Sequence, residues 1–235
     1  MKYLDGNIEY LTEDRTVLAK SQTGNSSILL KTDKSTNFIY KIEGSDIADR
    51  DIVIINSIVK GSKIKERIKK IRDHSGILVF SNTENSIFGS NLTVIDSALP
   101  NILSEMLLLF FTSKLSKTVD LVNEISKKNP VGYNLETNHP FYSYKIKRLL
   151  TDVALGMVPS KVWTGQLDAT GGYLVVKGDG EVLCYHIYNR NEFEDYLINN
   201  TKFETPSSTK FQYGTIYRKN DQLFFKLNLQ IRFLK

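Results

Sequence analysis

Strand-like patterning occupies both ends of this chain and helical patterning its middle, and that order constrains the fold more than any other feature. At the start, Asn7 to Leu11 and Arg15 to Ala19 are β-compatible runs separated by the turn-prone Thr12-Glu13-Asp14, which signals a hairpin. Ile28-Leu29-Leu30 and Asn37 to Ile42 continue the strand-like opening. Ser45-Asp46 can cap a short helix, and Asp51 to Val59 is an apolar element of either type. From Ser62 to Arg72 the period changes: Ile64, Ile68 and Ile71 recur at i, i+4 and i+7, with Lys63, Lys65, Lys69 and Lys70 on the other faces. Ile77 to Phe80 reads as a strand. Further helices are predicted over Asn101 to Leu115, after Pro100, and over Val119 to Lys127, which Asn129-Pro130 stops. Another opens at Pro140, with Tyr144, Ile146, Leu149 and Leu150 toward the core. Beyond Pro159, Tyr173 to Lys177 and Glu181 to Tyr188 flank Gly178-Asp179-Gly180, a second hairpin signal because Asp-Gly tolerates positive φ. Glu192 to Ile198 is a short helix, and Gly214 to Tyr217 with Leu223 to Phe233 form a hairpin around Asn220-Asp221. Strands, then helices, then strands predict an α+β fold with distinct sheets.

Charge is distributed unevenly over that plan. From Thr201 onward there are seven Lys/Arg against two Asp/Glu, which accounts for the whole net charge of +5, while the preceding 200 residues hold 24 of each sign. A basic, aromatic, strand-rich end on a neutral body is the footprint of a surface that faces phosphates. Cys184 is the single cysteine, so an internal disulfide and a thiolate zinc cage are excluded. Its apolar neighbours suggest a buried strand thiol in a reducing compartment. The longest apolar run, Met106 to Phe111, is far too short to span a bilayer, and the acidic N-terminus is unlike a signal peptide. A cytoplasmic location is expected. His74, His139 and His186 are scattered, so neither a histidine metal centre nor a Ser-His-Asp triad is supported.

Metal-dependent DNA cleavage needs oxygen ligands for the ion and a cation near the phosphate. The first hairpin offers Asp5 at its start, Asp14 at its turn and Lys20 where the apolar alternation ends. Two residues before Lys20 stands Leu18, which cannot ligate a metal. A second locus, Asp168, Lys177 and Glu181, equally describes an ordinary loop into a strand. Asn189, Arg190 and Asn191 have the chemistry to read base edges, since Arg forks onto guanine and Asn pairs bidentately with adenine. The same trio also describes a helix start with Asn191 as N-cap. Lys202, Thr205, Ser207, Ser208 and Lys210 suit phosphate contacts or a solvated loop, and the basic helix at 63–72 reads as a solvated face.

Several long stretches closely resemble the HpaII-type restriction endonucleases: KSQTGNSSILLKTDKSTNFIYKI (Lys20 to Ile42), NLTVIDSALPNIL (Asn91 to Leu103), the run Phe141 to Leu197, and KLNLQIRF (Lys226 to Phe233). The resemblance implies a type II endonuclease of a restriction-modification system that uses Mg2+ to cut both strands of a short palindromic, CCGG-like site. It implies a homodimer, with a cognate DNA methyltransferase as genetic partner. It further implies a restriction-endonuclease-like PD-(D/E)xK core in one domain, with a partial nuclease core over 1–60, a mainly helical part over 61–160, and a β-rich, DNA-contacting part over 161–235. The catalytic set is then Lys20, Asp14 and Asp5, the last two as metal ligands, and the DNA-binding set is Gln22, Asn37, Asn189, Arg190, Asn191, Lys202, Ser207 and Lys210. Family members are longer ahead of the lysine strand, so the chain reads as N-terminally shortened, its core incomplete; the alternative is a catalytically incomplete DNA-binding remnant or subunit. Where the family has an arginine-containing loop, this chain has Ser207 to Phe211, and Lys210 keeps the charge but not the bidentate fork.

Overall fold

A computed structural model of the chain describes residues 2–4, 7–12, 15–21, 28–59, 61–166, 172–176, 182–186 and 190–234. For the strands within 2–21 and 172–186 the description is of backbone pairing. The chain runs through β1 (Lys2–Leu4), β2 (Asn7–Thr12), β3 (Arg15–Ser21), β4 (Ile28–Leu30), β5 (Asn37–Glu43), α1 (Asp49–Asn56), α2 (Lys63–Asp73), β6 (Ile77–Thr83), α3 (Ser86–Ile95), α4 (Leu99–Thr112), α5 (Thr118–Lys128) and α6 (Phe141–Ala154). It continues with β7 (Gly172–Val176), β8 (Val182–His186), α7 (Arg190–Asn199), β9 (Thr201–Phe203), α8 (Ser208–Phe211), β10 (Ile216–Lys219), β11 (Gln222–Asn228) and β12 (Ile231–Phe233).

Three sheets result, and each joins an N-terminal strand to a C-terminal one. The first has the order β1-β2-β3-β7-β8, antiparallel except where β3 and β7 run parallel. The second is β10-β11-β5-β6 and the third β4-β12-β9, both antiparallel throughout. The mixed α/β architecture with separate sheets agrees with the sequence pattern. The β10–β11 hairpin closes with Lys219 opposite Gln222, and Asn220 and Asp221 both have positive φ, at 49° and 58°. That is the two-residue turn whose twist matches paired strands, and Asn and Asp tolerate it.

The core lies where α2, α4, α5 and α6 pack with the second and third sheets, and it contains Phe38, Tyr40, Ile68, Phe88, Leu103, Leu149, Phe225 and Ile231, each at most 1% exposed. Arg67 is buried among them. Its Nη1 donates to the Gly214 carbonyl at 2.6 Å, and its Nη2 donates to the carbonyls of Asn56 and Ile58 at 2.6 and 2.7 Å. Burial pulls its pKa below the ordinary value for arginine. One guanidinium thus ties the end of α1 to the turn before β10. Gly214 is required there: its φ is +81°, and a Cβ would stand 2.0 Å from Ile64 Cδ1.

Three sequence-based expectations need correction. Leu223 to Phe233 is not one strand: after Asn228 the chain leaves the second sheet, Leu229 N–H bonds to Thr36 O at 3.1 Å, and β12 joins the third sheet. Helix α4 starts at Leu99 with Pro100 in its first turn, and α3 before it is a separate helix capped by the Asn85 side chain, which accepts from Ile87 N–H at 2.8 Å. The two axes differ by 109°. Tyr144 faces outward, at 56% exposure. Among the described residues no single helix is long and apolar enough to cross a membrane.

Candidate nucleic-acid interface

The first sheet sets the register around Lys20. Across the β2–β3 ladder Lys20 stands opposite Asn7, and across β3–β7 opposite Val175. Leu18, two positions earlier, stands opposite Glu9 on one side and Tyr173 on the other. Glu9 is the acid that spacing alone overlooked, because the interval from 9 to 20 signals nothing until the strands are paired. Asp5, Asp14 and Gln22 lie outside the described residues, as do Asp168, Lys177 and Glu181 of the second locus. Among the described residues no group of three or more His, Cys, Asp or Glu is arranged to hold a metal ion.

Beyond β8 the chain enters α7, whose first residue is Arg190. Asn191 is therefore inside the first turn rather than at the N-cap, and it is exposed; Asn189 lies outside the described residues. The Nε of Arg190 meets Glu194 Oε1 at 2.7 Å, an i,i+4 pair whose carboxylate is buried. That bond uses one edge of the guanidinium and leaves its terminal nitrogens without a described partner, which suits a group that has to present a fork. Asp152 of α6 is 5% exposed, and its carboxyl is pushed up to about 6, first by burial and then by the charge of Glu194. Lys147 and Asp195 form a further ion pair along the same α6–α7 seam.

The C-terminal cations are largely consumed within the fold. Arg218 reaches Asp49 at 2.8 Å, Lys226 reaches Glu84 at 2.6 Å, and Lys202 and Arg232 share Glu204. Lys210 is exposed and has no carboxylate partner among the described residues; its ammonium lies 5.4 Å from the Phe211 ring centre. Ser207 caps α8, accepting from Lys210 N–H at 3.3 Å. Asn37 has a different role from the expected DNA contact. It is 0% exposed, donates to Glu84 at 2.6 Å and to Phe211 O at 2.9 Å, and accepts from Asn228 at 2.7 Å. Its amide is spent on an internal network that also holds Thr32 and Thr36, so a duplex could not reach it without unfolding that network.

Comparison with known proteins bears on the whole of this arrangement. Residues 5–233 match the family model described as HpaII restriction endonuclease. Over 215 residues the sequence is 55% identical to the type II restriction enzyme HpaII of Haemophilus parainfluenzae. That alignment covers 92% of this chain and 59% of the relative, so the chain spans less than two thirds of the length of the curated relative it matches. No solved structure matches.

Proposed function

Because this chain belongs to the HpaII restriction endonuclease family, we propose that it is a type II site-specific endonuclease of a restriction-modification system, cutting both strands of a short palindromic, CCGG-like site. The observation that carries this reading is the 55% identity over 92% of the chain. The hairpin β2–β3 fits it as part of a PD-(D/E)xK-type core, with Lys20 on the central strand of its sheet as the cation beside the scissile phosphate. A divalent metal, magnesium, supplies charge neutralisation and an activated water when bound. Asp5 and Asp14 are candidate ligands, and Glu9 joins them because the register sets it across from Leu18. The role of Lys20 is to offset the negative charge that grows on the phosphoryl oxygens as water adds to phosphorus and the P–O bond to the leaving sugar breaks.

Gln22, Asn189, Arg190, Asn191, Ser207 and Lys210 make up the DNA-contacting set, and Lys202, paired with Glu204, is left out of it. Arg190, held by Glu194, is the base-reading candidate, and Lys210 and Ser207 are phosphate contacts. A palindrome carries twofold symmetry, which a homodimer matches. A cognate methyltransferase protects the host site, and the cytoplasm is the compartment where both act.

Plasmid cleavage with magnesium, comparing the wild type with Lys20→Ala, tests the reading. Site-specific fragments from the wild type and none from the variant are expected, and equal cleavage by both removes Lys20 from the site. A second reading, favoured by Leu18 in the position where an acid is needed, is a DNA-binding protein without cleavage. It predicts duplex binding by the wild type and intact plasmid in both reactions.

A further inference from the structure

Between the start of α2, the end of α4 and the loop that precedes α8 lies a groove of about 500 Å³ whose charge has one sign. Lys63, Lys65 and Lys114 line it, and no Asp or Glu does. Among the described residues none of these three lysines makes an ion pair. Lys63 and Lys65 are half-buried and Lys114 is exposed. The 205–209 loop supplies the hydroxyls of Ser207, Ser208 and Thr209. Phe111 and Leu115 also line the groove, and apolar walls strengthen the pull of a fixed ammonium on an anion by lowering the local dielectric.

We propose that this groove takes the sugar-phosphate backbone of duplex DNA, at a place separate from the hairpin that carries Lys20. The inference rests on reading the chain as a protein that acts on duplex DNA, and it adds Lys63, Lys65 and Lys114 to the Ser207 contact which that reading already contains. Three like charges, two at the start of α2 and one just past the end of α4, are left without carboxylates, and a polyanion would offset their mutual repulsion. Duplex DNA presents about one negative charge per 1.7 Å of helix axis, a density that several lysines can meet at once. Hydroxyls along the loop donate to phosphate oxygens without reading sequence. The groove therefore positions the duplex and should act equally on matched and random sequences.

Binding of a random-sequence duplex by fluorescence anisotropy, in EDTA and from 50 to 200 mM salt, provides the test. The double variant Lys63→Gln, Lys114→Gln is expected to flatten the log–log salt slope by about 2, close to one unit for each phosphate that is no longer neutralised. Ser208→Glu, which adds a negative charge to the groove, should weaken binding in the same assay. Lys69→Gln, an exposed lysine of α2 outside the groove, should leave the slope at the wild-type value. Unchanged thermal melting shows that each variant is folded. A double variant that keeps the wild-type slope while the wild type binds duplex overturns the groove assignment alone, as does an equal flattening in Lys69→Gln. A wild type that binds no duplex overturns the functional reading and the groove assignment with it. Stabilisation against thermal melting by inorganic phosphate, with no duplex binding, would mark a small-anion site, and that too refutes the proposal.

Discussion

Four cations of residues 201–234 and three of residues 61–117 meet different surroundings. In the C-terminal stretch Arg218, Lys226, Lys202 and Arg232 each end on a carboxylate, two of which, Asp49 and Glu84, come from distant parts of the chain. In the helical stretch Lys63, Lys65 and Lys114 end on none among the described residues. Arg67, one turn along from Lys63, shows the other extreme, with its guanidinium sunk in the core and donating to three carbonyls. The lesson is that the partners folded against a cation, rather than the net charge of its segment, decide whether it holds the fold or remains available to a phosphate.

The strongest challenge to this contrast is Arg67→Met, which keeps much of the apolar packing but removes the donors. Three carbonyls are left without their partner, so a stability loss on the order of 3–5 kcal/mol is expected in urea melts. Any folded fraction should keep the wild-type salt slope for duplex binding; a flattened slope would mean that Arg67 is not purely structural.

Asp152 sharpens the comparison through pH. Its folded-state carboxyl titrates near 6, above the unfolded value, so its stabilising effect is complete below about pH 4 and is lost as pH rises through 6. Asp152→Asn should remove that loss, leaving the protein on the order of 2–3 kcal/mol more stable than the wild type at pH 7.5 and no different at pH 4. Chemical denaturation at both pH values checks it, and parallel pH profiles for the two proteins would refute it.

A smaller effect is expected at Arg190. Arg190→Ala should cost about 1–3 kcal/mol of affinity on the specific site and little on random duplex if the guanidinium reads a base. An equal loss on both makes it a phosphate contact. Lys226→Gln should lower stability by about 1 kcal/mol, the scale of a partly exposed pair, and leave the salt slope untouched. The smallest change belongs to Asn191→Asp. In the first turn of α7 a negative charge suits the helix dipole, so folding should shift by only a few tenths of a kcal/mol, while duplex binding weakens if the side chain faces phosphate.

Much of the fold was legible because its signals are local. Ile64, Ile68 and Ile71 announced α2, Asn129-Pro130 the end of α5, and Asn220-Asp221 the turn between β10 and β11. The end of β11 was not legible: Leu223 to Phe233 is continuous strand-like sequence, and the Thr36 carbonyl and the pairing of β12 with β4 and β9 make it two strands in two sheets. Asn37 was misassigned for a related reason, since a polar amide in a β-rich run looks the same whether its partners are bases or a buried Glu84.

The sequence by itself determined the order of strands and helices, the hairpin turns and, through its wording, the family, because periodicity, turn chemistry and identity are carried by residues near one another in the chain. Tertiary structure alone decided that every sheet would join the two ends of the chain. It also decided which cations would be spent. Those outcomes depend on distant pairings such as the one from Asn37 to Asn228, 191 residues apart, and a charge or an amide has no local mark of the partner it will meet.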